Sequence, residues 1–332
     1  TPSSTATPSS TATPSSTATP SSTATPTSTP TPTARPLPDR SSLEREAREA
    51  LSRLGPALRQ RLGTAAGLAR LLVEPPSRLD RFGMDAVFAE RLATVVEALY
   101  TTWWRVRVRG IGAVPSRGPA VVVANHAGVV PWDAFVLRHA LRRDHPAHRD
   151  LRPLLDEREA DLPIVGSAAI RAGAVRASPE AAERILSGGG IVGVFPEGSA
   201  GARKPWRDRY TLLRFGRGGF VKVALRTRAT IVPCAIVGSE EASPAVSRAG
   251  WLAERLGIPT LLDHPSLRLA PAAFLPLPSR WSLRFGDPVR VDDHPPEAAE
   301  DSAVVNALAE RVRGSLQAML DEDVATRTSV YL

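Results

Sequence analysis

The sequence predicts an α/β domain with a mostly parallel sheet flanked by helices, preceded by an α-helical N-terminal region and a disordered tail. Three observations carry this expectation. From residue 105 onward, short apolar runs alternate with stretches of helical periodicity. Several runs stop at a Gly- or Pro-containing turn that opens into the next helix. Ahead of them, residues 1–34 lack anything large to bury. The expected boundaries are a tail over 1–40, a helical region over 41–104 and an α/β domain over 105–332 that includes a closing helix.

The tail is a Thr-Pro-Ser-Ser-Thr-Ala repeat that decays into Thr-Pro by residue 34. Without apolar surface to bury, it cannot offset the entropy of ordering. From Ser41 the pattern turns helical: Leu43, Ala47, Leu51, Leu54, Leu58 and Leu62 recur at three- and four-residue spacing, with arginines between them. Pro56 kinks or splits this helix. It fits a membrane surface, arginines toward headgroups, as well as it fits the domain core. A second helix begins near Asp85, with an apolar stripe from Val87 to Trp103. Trp103 and Trp104 at its end suit either a core or a headgroup boundary.

Arg105 to Arg109 alternate arginine with valine and read as an edge strand. Strands follow at Ala120–Asn125, Arg152–Leu155, Ile191–Phe195 and Thr230–Val237, and one or two lie within Trp281–Val291. Helices follow at Pro131–Arg142, Pro179–Ser187, Gly216–Arg226 and Asp301–Asp321. Pro179 suits a first helical turn and Gly188-Gly189-Gly190 a helix end.

Composition narrows the function. Of 332 residues, 42% are hydrophobic and 23% charged, which fits a folded domain once the tail is set aside. The net charge of +8 is carried almost wholly by arginine, Lys204 and Lys222 being the two lysines. This balance suits an anionic membrane surface or phosphate-bearing substrates. The single cysteine, Cys234, excludes an intramolecular disulfide and a cysteine metal cluster. No apolar run reaches the roughly 18–20 residues that span a bilayer. A nucleic-acid partner is not expected: the sequence has neither zinc spacing nor an interleaved aromatic platform.

Chemistry collects at three strand ends, where ligands of open α/β sheets gather. The first is Asn125-His126, with Asp133 placed by Pro131 in the first turn of the next helix. A histidine and a carboxylate there suggest an oriented general base. The plain alternative is a strand-end histidine beside an aspartate that favours a helix N-terminus. The second is Phe195-Pro196-Glu197-Gly198, which puts a carboxylate in a tight turn, with Arg203 and Lys204 downstream. The third is Ile231-Val232-Pro233 and the Gly238-Ser239-Glu240-Glu241 that follows. There is no Gly-x-Ser-x-Gly elbow for a serine hydrolase.

In this order, Asn-His with a downstream Asp, Phe-Pro-Glu-Gly and Ile-Val-Pro resemble the glycerolipid acyltransferases of the lysophosphatidate type, over about Asp80 to Arg327. The resemblance implies transfer of a fatty acyl group from acyl-CoA or acyl carrier protein, a co-substrate rather than a bound cofactor, to the hydroxyl of a lysophospholipid such as lysophosphatidate. His126 would be the general base and Asp133 would orient it. Asn125, Arg171, Arg176, Phe195, Pro196, Glu197, Gly198, Arg203, Lys204 and Pro233 would bind substrate, with no metal. The protein would sit peripherally on the cytoplasmic face of the membrane.

Three features depart from the family pattern. Six residues separate His126 from Asp133 where the family has four. Ser178 stands where its glycine-arginine block has arginine, so Arg171 or Arg176 would substitute. Ala200 stands where many members have arginine, so Arg203 or Lys204 would reach in. The widened histidine-to-aspartate gap also motivates an alternative, a non-catalytic, membrane-associated lipid-binding protein of the same fold.

Overall fold

The computed structural model describes residues 74–128, 130–162, 164–202, 204–242 and 276–330. The tail, the helix expected from Ser41 up to residue 73, and Arg203 lie outside the described residues.

The first described helix, α1 (Ala86–Ala98), starts where Asp85 caps it, the carboxylate accepting from the Val87 and Phe88 N–H groups. A π-helical turn (Leu99–Trp103) ends it. The sheet strands are β1 (Arg107–Arg109), β2 (Ala120–Ala124), β3 (Leu151–Leu155), β4 (Val175–Arg176), β5 (Ile191–Val194), β6 (Thr230–Val237) and β7 (Ser282–Phe285). Their order is β1-β7-β6-β2-β5-β3-β4. The run from β6 to β4 is parallel throughout; β7 pairs antiparallel with β6, and β1 pairs parallel with β7. The mostly parallel α/β sheet expected from the alternation is therefore present.

The three strand ends that carry unusual residues belong to neighbours. Val123 is in register with Val194 of β5 on one side and Pro233 of β6 on the other. Strand alternation divides the two faces. Val122 and Ala124 face a core with α1 and α2 (Trp132–Asp144). Val121 and Val123 face a second core with α7 (Gly219–Thr227) and the closing helix α9 (Ser302–Ala325). Trp103 and Trp104 are buried in the first core. Trp104 stacks on Trp281 at 4.5 Å and meets Trp132 edge-on. Both indole N–H groups donate to carbonyls, of Pro276 and Leu277. A headgroup-boundary role for this pair is thereby replaced by core packing.

Some elements escape the periodicity. Helices α3 (Glu157–Ala160) and α4 (Val165–Arg171) and strand β4 are too short to show it. Among the described residues the remaining α-helices are α5 (Pro179–Ser187), α6 (Gly198–Gly201) and α8 (Ser239–Ala242). Helix α7 starts at Gly219, three residues later than Gly216, because Gly218 holds a left-handed φ of 67°. Between Trp281 and Val291 only Ser282–Phe285 forms a strand, and Val289 makes a single bridge to Ile231. Among the described residues no helix is long and apolar enough to cross a membrane.

Candidate active site

Strand β2 is buried along its whole length and ends one residue before Asn125. The Asn125 side chain extends the ladder in place of backbone: its amide donates to the Ile236 carbonyl at 2.8 Å, and its oxygen accepts the Ile236 N–H at 2.8 Å. This ties the strand end to β6 and fixes the backbone that carries His126. Gly128, at φ 79°, then turns the chain. Helix α2 begins at Trp132, so Asp133 lies in its first turn.

Within this loop His126 Nδ1 lies 2.7 Å from Asp133 Oδ2. Both residues are almost wholly buried. The same Asp133 oxygen accepts the Ala127 N–H at 2.9 Å, and its other oxygen accepts the Ala134 N–H at 2.8 Å. These donors offset the cost of burying a carboxylate. With Asp133 as acceptor, Nδ1 carries a proton and Nε2 faces the other way.

Nε2 is not free. Glu159 Oε1 lies 2.6 Å from it. Glu159 belongs to α3, where it forms a capping box with Asp156. Burial works against a charged His126 ring, but the Asp133 and Glu159 carboxylates outweigh it and hold its pKa well above the ordinary value. The Asp156-x-x-Glu159 pattern signals a helix start in the sequence; that its glutamate reaches a histidine in β2's extension is a matter of strand order.

The Phe-Pro-Glu-Gly turn packs beside this pair. The Phe195 ring lies 5.0 Å from the His126 ring. Pro196 is half-buried in the turn, and Gly198 bends it at φ 54°. The Glu197 carboxylate is enclosed by the protein. One oxygen accepts the His126 backbone N–H at 3.2 Å, and the other accepts the Leu213 N–H at 2.9 Å and meets Lys204 Nζ at 3.0 Å. Lys204 lies between Glu197 and Glu240, the latter at 3.3 Å. Burial presses against its charge, but the two carboxylates raise its pKa. Burial lifts the Glu240 pKa to about 7 against the pull of Lys204. In this conformation Glu197 and Lys204 bind each other and brace His126 through its backbone.

The other cations are spread out. Arg171 pairs with Asp85 at 3.2 Å and lies over the Phe88 ring. Arg176 is exposed and pairs with Asp161 at 2.6 Å. Ser178, in the place of the expected arginine, caps α5 through the Ala181 N–H. Pro233 is buried in β6, and its carbonyl accepts the Gly286 N–H.

Beside the histidine lies a cavity of about 240 Å³. Val121, Val192, Ala182, Phe220 and Val223 form apolar walls beneath α5 and α7. At the carboxyl edge of the sheet its wall includes Phe195 and Glu159, both of which touch the His126 ring. Pro233 is not among its lining residues.

The strand-end histidine, its aspartate and the adjoining turn coincide with a match to the family model described as Acyltransferase, over residues 105–237. The chain belongs to the acyltransferase family. This acyltransferase is 42% identical over 276 residues to an uncharacterized protein of Mycobacterium leprae, covering 82% of this chain and 75% of that one. It is 41% identical over 276 residues to uncharacterized proteins of Mycobacterium tuberculosis and Mycobacterium bovis, covering 82% of this chain and 77% of each. Among solved structures it is similar to the 1-acyl-sn-glycerophosphate acyltransferase PlsC of Thermotoga maritima, with 18% identity and a TM-score of 0.48, covering 80% of this acyltransferase and 89% of that chain.

Proposed function

We propose that this acyltransferase moves a fatty acyl group from a thioester donor, acyl-CoA or acyl carrier protein, to the hydroxyl of a glycerolipid, with a lysophospholipid such as lysophosphatidate as the leading acceptor. The observation that carries this reading is the 2.7 Å contact between His126 Nδ1 and Asp133 Oδ2, which leaves Nε2 as the atom that can take a proton. The acceptor oxygen, losing its proton to Nε2, attacks the thioester carbonyl carbon. The carbon–sulfur bond then breaks and the thiolate leaves, taking up the proton from His126. Asp133 holds the ring tautomer and offsets the charge that forms. The apolar cavity beside Phe195 suits the acyl chain. Arg176, exposed at the end of β4, suits an acceptor phosphate, with Arg171 held back by Asp85.

A lipid acceptor calls for peripheral contact with the cytoplasmic face of a membrane. The arginine-rich, helix-patterned sequence from Ser41 supports that reading. It is tested by vesicle flotation of the full chain against a version with Arg45, Arg48, Arg53, Arg59 and Arg61 changed to Glu. Equal flotation on anionic vesicles would remove the membrane role of this segment.

The deciding experiment for the reaction is an acyl-transfer assay of the purified chain with acyl-CoA and a panel of lysophospholipid, glycerol phosphate and neutral glyceride acceptors. Replacing His126 with Ala is expected to cost about 100-fold or more in rate. Transfer that survives this change would end the mechanism. A second reading, a non-catalytic lipid-binding protein of the same fold, is favoured by the carboxylate on Nε2. Tight lipid binding without thiol release by the wild-type chain would select it.

A further inference from the structure

Glu159 takes no part in the reaction as written, yet its Oε1 occupies the hydrogen-bonding position of His126 Nε2 at 2.6 Å. That is the distance and direction at which an acceptor hydroxyl must arrive to give up its proton. We propose that Glu159 is a resident occupant of the acceptor-hydroxyl position, which an incoming acceptor displaces and which withholds the base from water until then. The inference rests on the acyl-transfer reading and deepens it.

Four features support it. Glu159 is a wall of the apolar cavity and a partner of the ring, so it stands between the two. Its side chain is 11% exposed and that of His126 2%, so in this conformation Glu159 adds to the cover over the ring. Its remaining contact is loose: Oε2 accepts the Asp156 N–H at 3.3 Å. The short helix that carries it is anchored by Asp156, whose second oxygen accepts the Ser199 N–H at 2.8 Å from the Phe-Pro-Glu-Gly turn, so the glutamate can leave while α3 stays docked. Electrostatics agrees with the geometry. Asp133 and Glu159 face the two ring nitrogens, Glu197 faces the His126 backbone N–H and Asp156 lies behind Glu159. A ring flanked in this way keeps protons on both nitrogens and has no lone pair to offer.

The consequence is chemical. A thioester beside a free histidine base is open to water: the water oxygen bonds to the carbonyl carbon, the carbon–sulfur bond breaks, the water's proton passes through His126 to the leaving thiolate, and a free fatty acid and thiol result. A carboxylate on Nε2 blocks that route. A lipid acceptor brings binding energy from its own chain and headgroup and can displace the carboxylate; a single water cannot.

The test uses the full chain and acyl-CoA without acceptor, reading thiol release, together with the NMR titration of His126, which needs no substrate. Glu159→Ala is expected to raise acceptor-free thiol release about 10-fold or more, and adding His126→Ala is expected to remove the gain. Glu159→Gln, which fills the space without the anion, is expected to make His126 titrate at lower pH and to raise release by a smaller factor. Thiol release that stays level or falls in a folded Glu159→Ala chain would overturn the proposal and make Glu159 a positioning residue. Should the alanine variant not fold, a His126 titration unmoved by Glu159→Gln would overturn it equally. Failure of the wild-type chain to transfer an acyl group to any acceptor would instead count against the acyl-transfer reading, and the His126 titration tells the two failures apart.

Discussion

His126 Nδ1 and Asp133 Oδ2 lie 2.7 Å apart although six residues separate them. An unbroken helix over that separation would hold their backbones about 10 Å apart, beyond hydrogen-bond reach. The gap closes because Gly128 turns the chain and α2 begins only at Trp132. The Ala127 N–H binds the same Asp133 oxygen, so the loop and the dyad brace each other.

Asp133→Asn is therefore expected to keep the fold and lose activity. An amide can present its N–H to Nδ1 and stabilise the wrong tautomer, and it cannot offset an imidazolium. By analogy with other histidine–aspartate pairs the loss is roughly 10²- to 10⁴-fold in kcat. The measurement is steady-state acyl transfer alongside thermal melting; near-normal rates would mean that Asp133 only shapes the loop.

The rate should depend on pH with the base limb displaced to the alkaline side. The His126 pKa is held well above its ordinary value, so the neutral ring that accepts a proton becomes abundant only as pH rises past the usual histidine range. The linkage to stability has the same origin. The folded state binds this proton more tightly than the unfolded chain, so the stabilisation is fully present below the unfolded pKa and is lost as pH rises through the folded one. A pH–rate profile of kcat/KM that levels off below pH 6 would contradict this.

Lys204→Met tests the buried ion cluster. It leaves Glu197 and Glu240 without their cation, and removal of one partner from a buried set costs about 3–5 kcal/mol. Burial lifts the Glu240 pKa to about 7 even with Lys204 beside it, and without that cation it rises further, so as pH falls the variant takes up a stabilising proton before the wild type does. The penalty, read from urea unfolding, should therefore shrink between pH 8 and pH 5. A loss independent of pH would show that packing, not charge, is at issue.

The cavity predicts chain-length selection. Ala182→Phe places a ring among Val121, Val192 and Val223 and reduces the space open to an acyl chain. Overpacking is expected to cost about 1–3 kcal/mol of stability. The ratio of kcat/KM for short over long acyl-CoA should rise about 10-fold or more. An unchanged ratio in a folded variant would remove the chain from this cavity.

Arg176→Ala separates the two arginines. Arg176 is exposed and its pairing with Asp161 contributes little to stability. The substitution should leave the melting temperature unchanged and raise KM for a phosphorylated acceptor several-fold, with no effect on a neutral glyceride. Equal effects on both acceptors would argue against phosphate binding here.

Much of this molecule follows from its sequence alone. The run Ala120–Ala124 has to be a buried strand, the stripe of α9 has to face a core, and Asn125-His126, Phe195-Pro196-Glu197-Gly198 and the end of β6 have to stand at strand ends, because side-chain period and turn chemistry are local properties. Strand order is not local. Only the tertiary structure makes β5 and β6 the two neighbours of β2 and so brings the three motifs together. It turns Glu197 and Lys204 from open ligands into a buried pair, since burying either charge alone would be costly. It also sets Glu159 on His126 Nε2, because that contact spans 33 residues and depends on where β3 ends relative to β2, which no local spacing records.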